Sequence, residues 1–344
     1  MILQPYNRKK VGDIEPLSEM LPLKVPFSIL IDPTNKCNFR CTFCPTGNPS
    51  LLDEVRRPIG YMEYGLYTKI INDISSLCTK QNVMLNHLHL YKDGEPLMNK
   101  KLGSMIAYAK KMEVSHSVEI TTNAAALTKK RAVELIECGL DVVRVSIEHV
   151  TDEKYKQITK TFGNYNRIRR NVRFLFEEKA QSNSELHLHL KIVDTGLSDI
   201  ERNKFISDFS EISDSINIDK PMGWSRSFED LVELDLKNKV GMDGVTEKRD
   251  RVVCPEPFSK LAINFDGTVS ICCVDWSHGT IVGDLKKQSL IDIWSGDEMK
   301  QFRLLHLQGR RSEILACSNC DYMQGFSDIT NLDNDMDRLL LAYQ

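Results

Sequence analysis

The chain has 344 residues, enough for about two domains and for a full hydrophobic core without disulfide or metal staples. Hydrophobic residues at 41% and charged residues at 27% exclude general disorder, and 45 Lys plus Arg against 48 Asp plus Glu leave a net charge of -3, which excludes a global basic field for tracking nucleic acid. No segment reaches the roughly 18 apolar residues of a membrane span, and the opening MILQPYNRKKVGDIEPL is not a secretory signal, so the expectation is a cytoplasmic protein with no membrane or nucleic-acid partner.

Residues 1–26 read as an N-terminal extension. From 27 to 223, short apolar runs alternate with longer helical segments, the pattern of a parallel sheet covered by helices. Strands are predicted at Phe27 to Asp32, Leu85 to Tyr91, Val118 to Asn123, Val142 to Glu148, Leu186 to Val193 and Ile216 to Lys220. Helices are predicted to begin near Glu63, Asn99, Thr128, Asp152 and Ser198, the last three with capping residues at or just before the start. About six βα units are too few for a closed eight-fold barrel.

Side chains on a strand alternate faces, so His87, His89 and Tyr91 share one face of the second strand, and His187, His189 and Lys191 one face of the fifth. Glu119, Thr121 and Asn123, then Arg144, Ser146 and Glu148, and finally Asn217 and Asp219 repeat the arrangement. Strands covered by helices on both faces would be apolar throughout; this one-sided polarity fits a curved sheet around a wet cavity. An antiparallel sheet with one wet face also alternates, but connections of ten or more residues suit crossovers better than hairpins.

Residues 224–253 are charge-rich and read as a linker. A smaller unit follows over 254–330. In it, Ala262 to Phe265, Asp266-Gly267 and Thr268 to Cys272 predict a hairpin with a type I′ turn, and an amphipathic helix is predicted over Leu290 to Leu307. Residues 331–344 form a C-terminal tail.

The ten cysteines are grouped: Cys37, Cys41 and Cys44 in one loop, and Cys254, Cys272, Cys273, Cys317 and Cys320 in the last quarter, with Cys78 and Cys138 alone in helical stretches as core residues. In a reducing compartment such grouping points to metal ligands before disulfides. Three thiolates spaced x3 and x2 after a strand can wrap one iron–sulfur cluster and leave an iron without a protein ligand, whereas structural zinc takes four ligands and no histidine is near.

Cys37-x3-Cys41-x-Phe43-Cys44 resembles the signature of the radical S-adenosylmethionine (radical SAM) superfamily, and further motifs follow in the family's order over essentially the whole chain. Asp93-Gly94-Glu95-Pro96 resembles the Gly-Gly-Glu-Pro motif that meets the methionine amino group, with Asp93 in place of the first glycine. Thr122-Asn123, closing the third strand, and Ser146-Ile147-Glu148, closing the fourth, resemble the family's positions that line the nucleoside and methionyl portions. The resemblance implies a partial (β/α)6 barrel of the α/β class, a 4Fe-4S cluster on Cys37, Cys41 and Cys44 chelated by S-adenosylmethionine, Phe43 against the adenine, and reductive cleavage to a 5′-deoxyadenosyl radical that takes hydrogen from a substrate C–H bond. An external one-electron donor such as flavodoxin or ferredoxin is implied as a partner.

The second cysteine set resembles the twitch domain, the shortened relative of the SPASM extension, which implies one auxiliary 4Fe-4S cluster on Cys254, Cys272, Cys317 and Cys320; a four-thiolate zinc site is the alternative. Neighbours within a strand face opposite ways, so one of Cys272 and Cys273 should face the cluster; the resemblance, through the family's glycine spacing, implies Cys272 and leaves Cys273 as a buried small hydrophobe or as a thiol that returns a hydrogen atom. The C-terminal pattern is similar to that of twitch enzymes acting on sugars and cyclitols. The expected reaction is dehydrogenation of a polyhydroxylated small molecule, a sugar, amino-sugar or aminocyclitol, with the auxiliary cluster as electron acceptor and His189 or Lys191 as general base. Epimerisation through Cys273 and maturation of a peptide are the alternative reactions, and a zinc-stabilised binding module the non-enzymatic one.

Overall fold

The computed structural model describes residues 15–161, 164–223, 225, 239–241, 244, 246–318 and 320–344. Most of the expected N-terminal extension and of the expected linker lies outside these residues.

Elements alternate along the chain: α1 (Leu17–Met20), β1 (Ser28–Ile31), α2 (Pro49–Val55), α3 (Tyr64–Gln81), β2 (His87–His89), α4 (Leu102–Lys111), β3 (Val118–Thr122), α5 (Lys129–Glu137), β4 (Val142–Ile147), α6 (Asp152–Thr159), α7 (Tyr165–Gln181), β5 (His187–Val193), α8 (Asp199–Phe209) and β6 (Ser215–Asp219). Strands β1 to β6 are parallel and adjacent in chain order. All six lie where period-two alternation places them. Leu88, Ile120, Val143, Val145, Leu188 and Leu190 are buried in the layer between sheet and helices. Thr128 caps α5 by accepting from Arg131 N, Thr151 caps α6, and Ser198 forms a reciprocal capping box with Glu201 on α8.

The remaining elements are α9 (Glu256–Ser259), β7 (Lys260–Ile263), β8 (Thr268–Ser270), β9 (Ile281–Asp284), α10 (Leu290–Trp294), α11 (Asp297–Leu307) and α12 (Met336–Tyr343). β7 pairs in parallel with β1, Ser28 opposite Lys260, so the C-terminal strands continue the barrel sheet into nine strands, β6-β5-β4-β3-β2-β1-β7-β8-β9. This pairing sets the second cysteine group beside the first. Leu339 and Tyr343 of α12 join Leu17, Leu21, Val253, Phe258 and Leu307 in a second apolar cluster, so the expected tail is a packed helix.

Four local expectations are corrected. The helix expected from Asp152 is two: Lys160 turns left-handed at φ 51° and ends α6, and Asn164 caps α7. The helix expected over Leu290 to Leu307 breaks at Gly296, where a Cβ would stand 2.1 Å from Asp292 O. The hairpin turn is not type I′, because Gly267 alone has positive φ (87°) and Asp266 does not; Gly267 N donates to Asn264 O and Asn264 N to Thr268 O, a type I turn closed by a glycine bulge. Finally, Cys272 and Cys273 follow β8 in a turn rather than lying in it, so strand alternation does not separate them.

Candidate active site

Because β1 ends at Ile31, the cysteine loop starts at the carboxyl edge of the sheet. Thr34 Oγ1 donates to Gly60 O at 2.6 Å, and the Asn35 side chain bonds both Pro58 O and Gly60 N, which pins the approach to Cys37. Arg40 N and Thr42 N donate to Thr159 O and Ile158 O at the end of α6, and buried Phe39 packs edge-on against Tyr155. Cys37, Cys41 and Cys44 all face this loop's surroundings, with Cys37 exposed and the other two half-buried; Phe43 is half-buried between them in sequence.

The Gly94-Glu95-Pro96 segment lies directly against that loop. A Cβ on Gly94 would stand 2.2 Å from Thr34 O and 2.6 Å from Lys36 O, and Glu95 N donates to Lys36 O at 2.9 Å. The Glu95 carboxylate is buried and accepts from Leu97 N, Thr122 Oγ1 and Asn123 N. Pro96 opens the short turn that Glu95 caps. Asn123 Nδ2 donates to Asn38 Oδ1 at 2.8 Å and lies 3.9 Å from Cys37 Sγ. Thr122, which the resemblance implied with Asn123, lies against Glu95 although period-two alternation alone puts it on the opposite face, and Asn38 joins the site without having been expected there.

Burial raises the carboxyls of Glu95 and Glu148 to about 7, and burial together with nearby Glu148 raises the Cys41 thiol, to which Glu148 is hydrogen-bonded. A set of buried acids and thiols that hold each other's protons on is one that a bound cation relieves. It fits an iron–sulfur cluster on the three sulfurs, with Glu95, Asn123 and Glu148 beside it for the polar portions of a ligand. Ser146 is half-buried opposite Lys191 on β5.

Deeper in the lumen, Glu119 gathers the charges. Its carboxylate bonds His87 Nδ1 at 2.7 Å, Ser117 Oγ at 2.9 Å and the Arg144 guanidinium. Burial would raise it, but the bond from His87, His89 at 3.5 Å and the Arg144 charge hold it well below the carboxylate range. His189 Nδ1 bonds Ser215 Oγ at 2.8 Å, and burial, then the Arg144 charge, lowers its pKa to about 4, so it is a neutral imidazole at pH 7. Lys191 pairs with Asp219 at 3.2 Å; burial opposes its charge, but Asp219 outweighs burial and raises its pKa. Of the two candidate bases, His189 is held in the accepting form and Lys191 in the donating one.

A histidine whose folded pKa lies below about 6.5 binds its proton more readily when unfolded, so it subtracts stability as pH falls from about 6.5 towards 4. Glu95 and Glu148, raised in the fold, act with the opposite sign over an overlapping interval. The His189 contribution is therefore read as a difference. His189→Gln is expected to gain roughly 2–3 kcal/mol on the wild type between about pH 6.5 and 4, followed by urea midpoints; parallel pH profiles contradict the buried neutral imidazole.

The second cysteine group converges. Cys254, Cys272, Cys317 and Cys320 line one pocket, together with His306 and Arg311. Arg311 Nη1 donates to Cys317 O and Cys320 O at 2.8 and 3.0 Å, which shapes the Cys-x2-Cys loop, while His306 accepts from Cys254 N and lies 3.7 Å from Cys317 Sγ. Burial raises the Cys317 thiol to about 12 and Cys320 to about 11. Sulfurs bonded to one zinc at about 2.3 Å would stand about 3.8 Å apart. Among the described residues the one trio of ligand atoms within 4.8 Å is Glu256, Cys272 and Cys273, and there Lys260 already pairs with Glu256 at 2.6 Å. The four sulfurs thus surround a space wider than one ion, which fits a cluster. Cys273 is not in the cavity lining and donates to Glu256 Oε2 at 3.5 Å.

Replacing Cys317 or Cys320 with alanine is expected to remove one cluster's share of the iron and all turnover while 5′-deoxyadenosine formation continues in part; unchanged iron content contradicts ligation.

The parallel barrel with a cysteine loop at its carboxyl edge, and a four-cysteine cavity beside it, define an iron–sulfur enzyme that uses S-adenosylmethionine. The profile of the radical SAM superfamily matches residues 31–195, and that of an iron–sulfur cluster-binding domain, SPASM, matches residues 254–321. The chain belongs to the radical SAM superfamily and carries a C-terminal SPASM domain. It is 21% identical over 298 residues to the S-adenosyl-L-methionine-dependent 2-deoxy-scyllo-inosamine dehydrogenase of Niallia circulans, covering 86% of this chain and 93% of that one. It is 30% identical over 173 residues to the dTDP-4-amino-4,6-dideoxy-D-glucose ammonia-lyase of Streptomyces venezuelae, covering 47% of this chain and only 32% of the lyase. Among solved structures, BtrN in complex with AdoMet and 2-DOIA shares the fold, with a TM-score of 0.54 at 19% identity over 86% of this chain and 93% of that one. Among the described residues no helix is long and apolar enough to cross a membrane.

Proposed function

We propose that the protein dehydrogenates a carbinol carbon of a sugar, amino-sugar or aminocyclitol. The observation that carries this reading is the extent of the similarity to the inosamine dehydrogenase, which covers 86% of this chain and 93% of that enzyme, whereas the ammonia-lyase match covers 32% of the lyase. When bound, the clusters and S-adenosylmethionine supply reductive carbon–sulfur cleavage, hydrogen abstraction and a one-electron acceptor. The residues of the chain bind, orient and move protons. Cys37, Cys41 and Cys44 would hold one cluster, and Cys254, Cys272, Cys317 and Cys320 the other. Glu95 offers its carboxylate to the ligand's ammonium, and Phe43 an apolar face to its base. In the lumen, neutral His189 accepts the hydroxyl proton as the carbon is oxidised, while Lys191 and Arg144, each paired with a carboxylate, donate to substrate oxygens. A hydroxyl-rich substrate matches this balanced lining.

The test is anaerobic turnover in deuterated water with candidate cyclitols and sugars. A carbonyl product with no carbon-bound deuterium is expected. Deuterium at a carbon of an otherwise unchanged product would instead assign epimerisation, with Cys273 as the hydrogen donor.

A further inference from the structure

The motif that meets the ligand's amino group begins here with Asp93, and this side chain is the centre of a buried charge network. Asp93 Oδ2 accepts from Arg57 Nη1 at 2.9 Å and Lys92 Nζ at 2.7 Å, and bonds His278 Nε2 at 3.0 Å; the Asp93 and Lys92 side chains have no accessible surface and Arg57 has 1%. Each partner also reaches the turn that starts at Asp275, a residue of the second cavity's lining. Arg57 Nη1 donates to Trp276 O at 2.6 Å, Lys92 Nζ to Asp275 O at 3.2 Å, and His278 is itself part of that turn, held left-handed at φ 52°. Asp275 folds the turn onto itself by accepting from Ser277 Oγ, Gly279 N and Thr280 N, and Thr280 Oγ1 accepts from Ala316 N, next to Cys317.

A continuous path of hydrogen bonds therefore leads from the residue before Gly94 and Glu95 to the loop that carries Cys317. Asp32, fully buried close by, is the second carboxylate of the group. Burial and then the Asp93 charge raise the Asp32 carboxyl to about 7, so Asp93 is the partner that binds the two cations Arg57 and Lys92. A glycine in place of Asp93 would leave those cations against Asp32 alone, with nothing to tie them to the turn.

We propose that Asp93 is a positioning residue: through Arg57, Lys92 and His278 it clamps the Asp275–Thr280 turn, and with it the Cys317 loop, onto the Gly94-Glu95 segment, so that the two metal sites keep one fixed relation. Asp93 also lies near enough to Cys44 for its charge to act on the sulfur. The clamp rests on the reading that both pockets hold clusters, but not on the identity of the substrate.

The test uses the iron-loaded enzyme with S-adenosylmethionine bound and no substrate, after the wild type has been scored for iron content and 5′-deoxyadenosine formation, which judge the functional reading by themselves. Asp93→Asn and Lys92→Met are compared by hydrogen exchange and by redox titration of both clusters. Amides of residues 275–280 and 316–318 are expected to exchange about tenfold faster or more in both variants, with β3 to β5 unchanged. The first cluster's midpoint potential is expected to move positive in Asp93→Asn, where a negative charge is lost, and negative in Lys92→Met, where a positive one is lost. A merely loosened fold would not give shifts of opposite sign. Wild-type exchange in that turn, or potentials unmoved or moved in the same direction, overturns the proposal; should Asp93→Asn take up no iron, Lys92→Met decides by the same two readings.

Discussion

Replacing Cys37, Cys41 and Cys44 together with alanine is expected to abolish 5′-deoxyadenosine formation while leaving the fold and the second cysteine centre in place. The three sulfurs contribute little to the apolar core: Cys37 is exposed, the other two are half-buried, and the loop is held by Thr34, Asn35, Arg40 and Thr42 through bonds that involve no sulfur. Burial raises the pKa values of the Cys41 and Cys44 thiols, so without a metal they are neutral at pH 7, and a metal that binds them displaces their protons. Removing the thiols therefore removes the cluster without a matching loss of packing. The measurement is product analysis by mass spectrometry after anaerobic reconstitution, with iron analysis and circular dichroism alongside. Iron is expected to fall by one cluster and the far-ultraviolet spectrum to be unchanged. Persistent 5′-deoxyadenosine would contradict the assignment of these residues.

Gly94→Ala is expected to be nearly as damaging, for a steric reason. The added methyl would meet two backbone carbonyl oxygens, at 2.2 and 2.6 Å, on a loop that cannot turn aside because it carries the cysteines. The segments would have to separate by about an ångström, which breaks the bond from Glu95 N to Lys36 O. Overpacking of this kind costs roughly 1–3 kcal/mol and the lost bond about 1 more. These are costs to stability; affinity for S-adenosylmethionine is expected to fall by about tenfold or more because the displaced Glu95 carboxylate loses a charge-assisted bond to the ligand worth roughly 1.5–3 kcal/mol. Equilibrium dialysis of the iron-loaded variant measures it. Wild-type affinity would show that the close approach does not position Glu95.

The barrel was legible because its information is local. One-sided polarity along β2 to β6 located the six parallel strands, and Thr128 and Ser198 marked helix starts through their own hydroxyls. What escaped local reading depends on neighbours distant in sequence or on a single backbone angle. The split between α6 and α7 turns on Lys160 in a left-handed conformation, and the break before α11 on how little room Gly296 has. Both cysteine groups could be seen in the spacing, but the residues that shape them could not. Arg311 reaches back to Cys317 O and Cys320 O, His306 lies 52 residues from Cys254, and His278 meets Asp93 across 185 residues. Asp93 stood out only as a departure from a glycine motif, and the contacts that explain it come from a turn on the far side of the β1–β7 pairing.

The central claim, that hydrogen leaves a carbinol carbon for the adenosyl group and does not return, is tested most directly by a substrate deuterated at that carbon. Turnover is predicted to give deuterium in 5′-deoxyadenosine, in equal amount to a carbonyl product that has lost it. Unlabelled 5′-deoxyadenosine, or a product that keeps the deuterium, would contradict it.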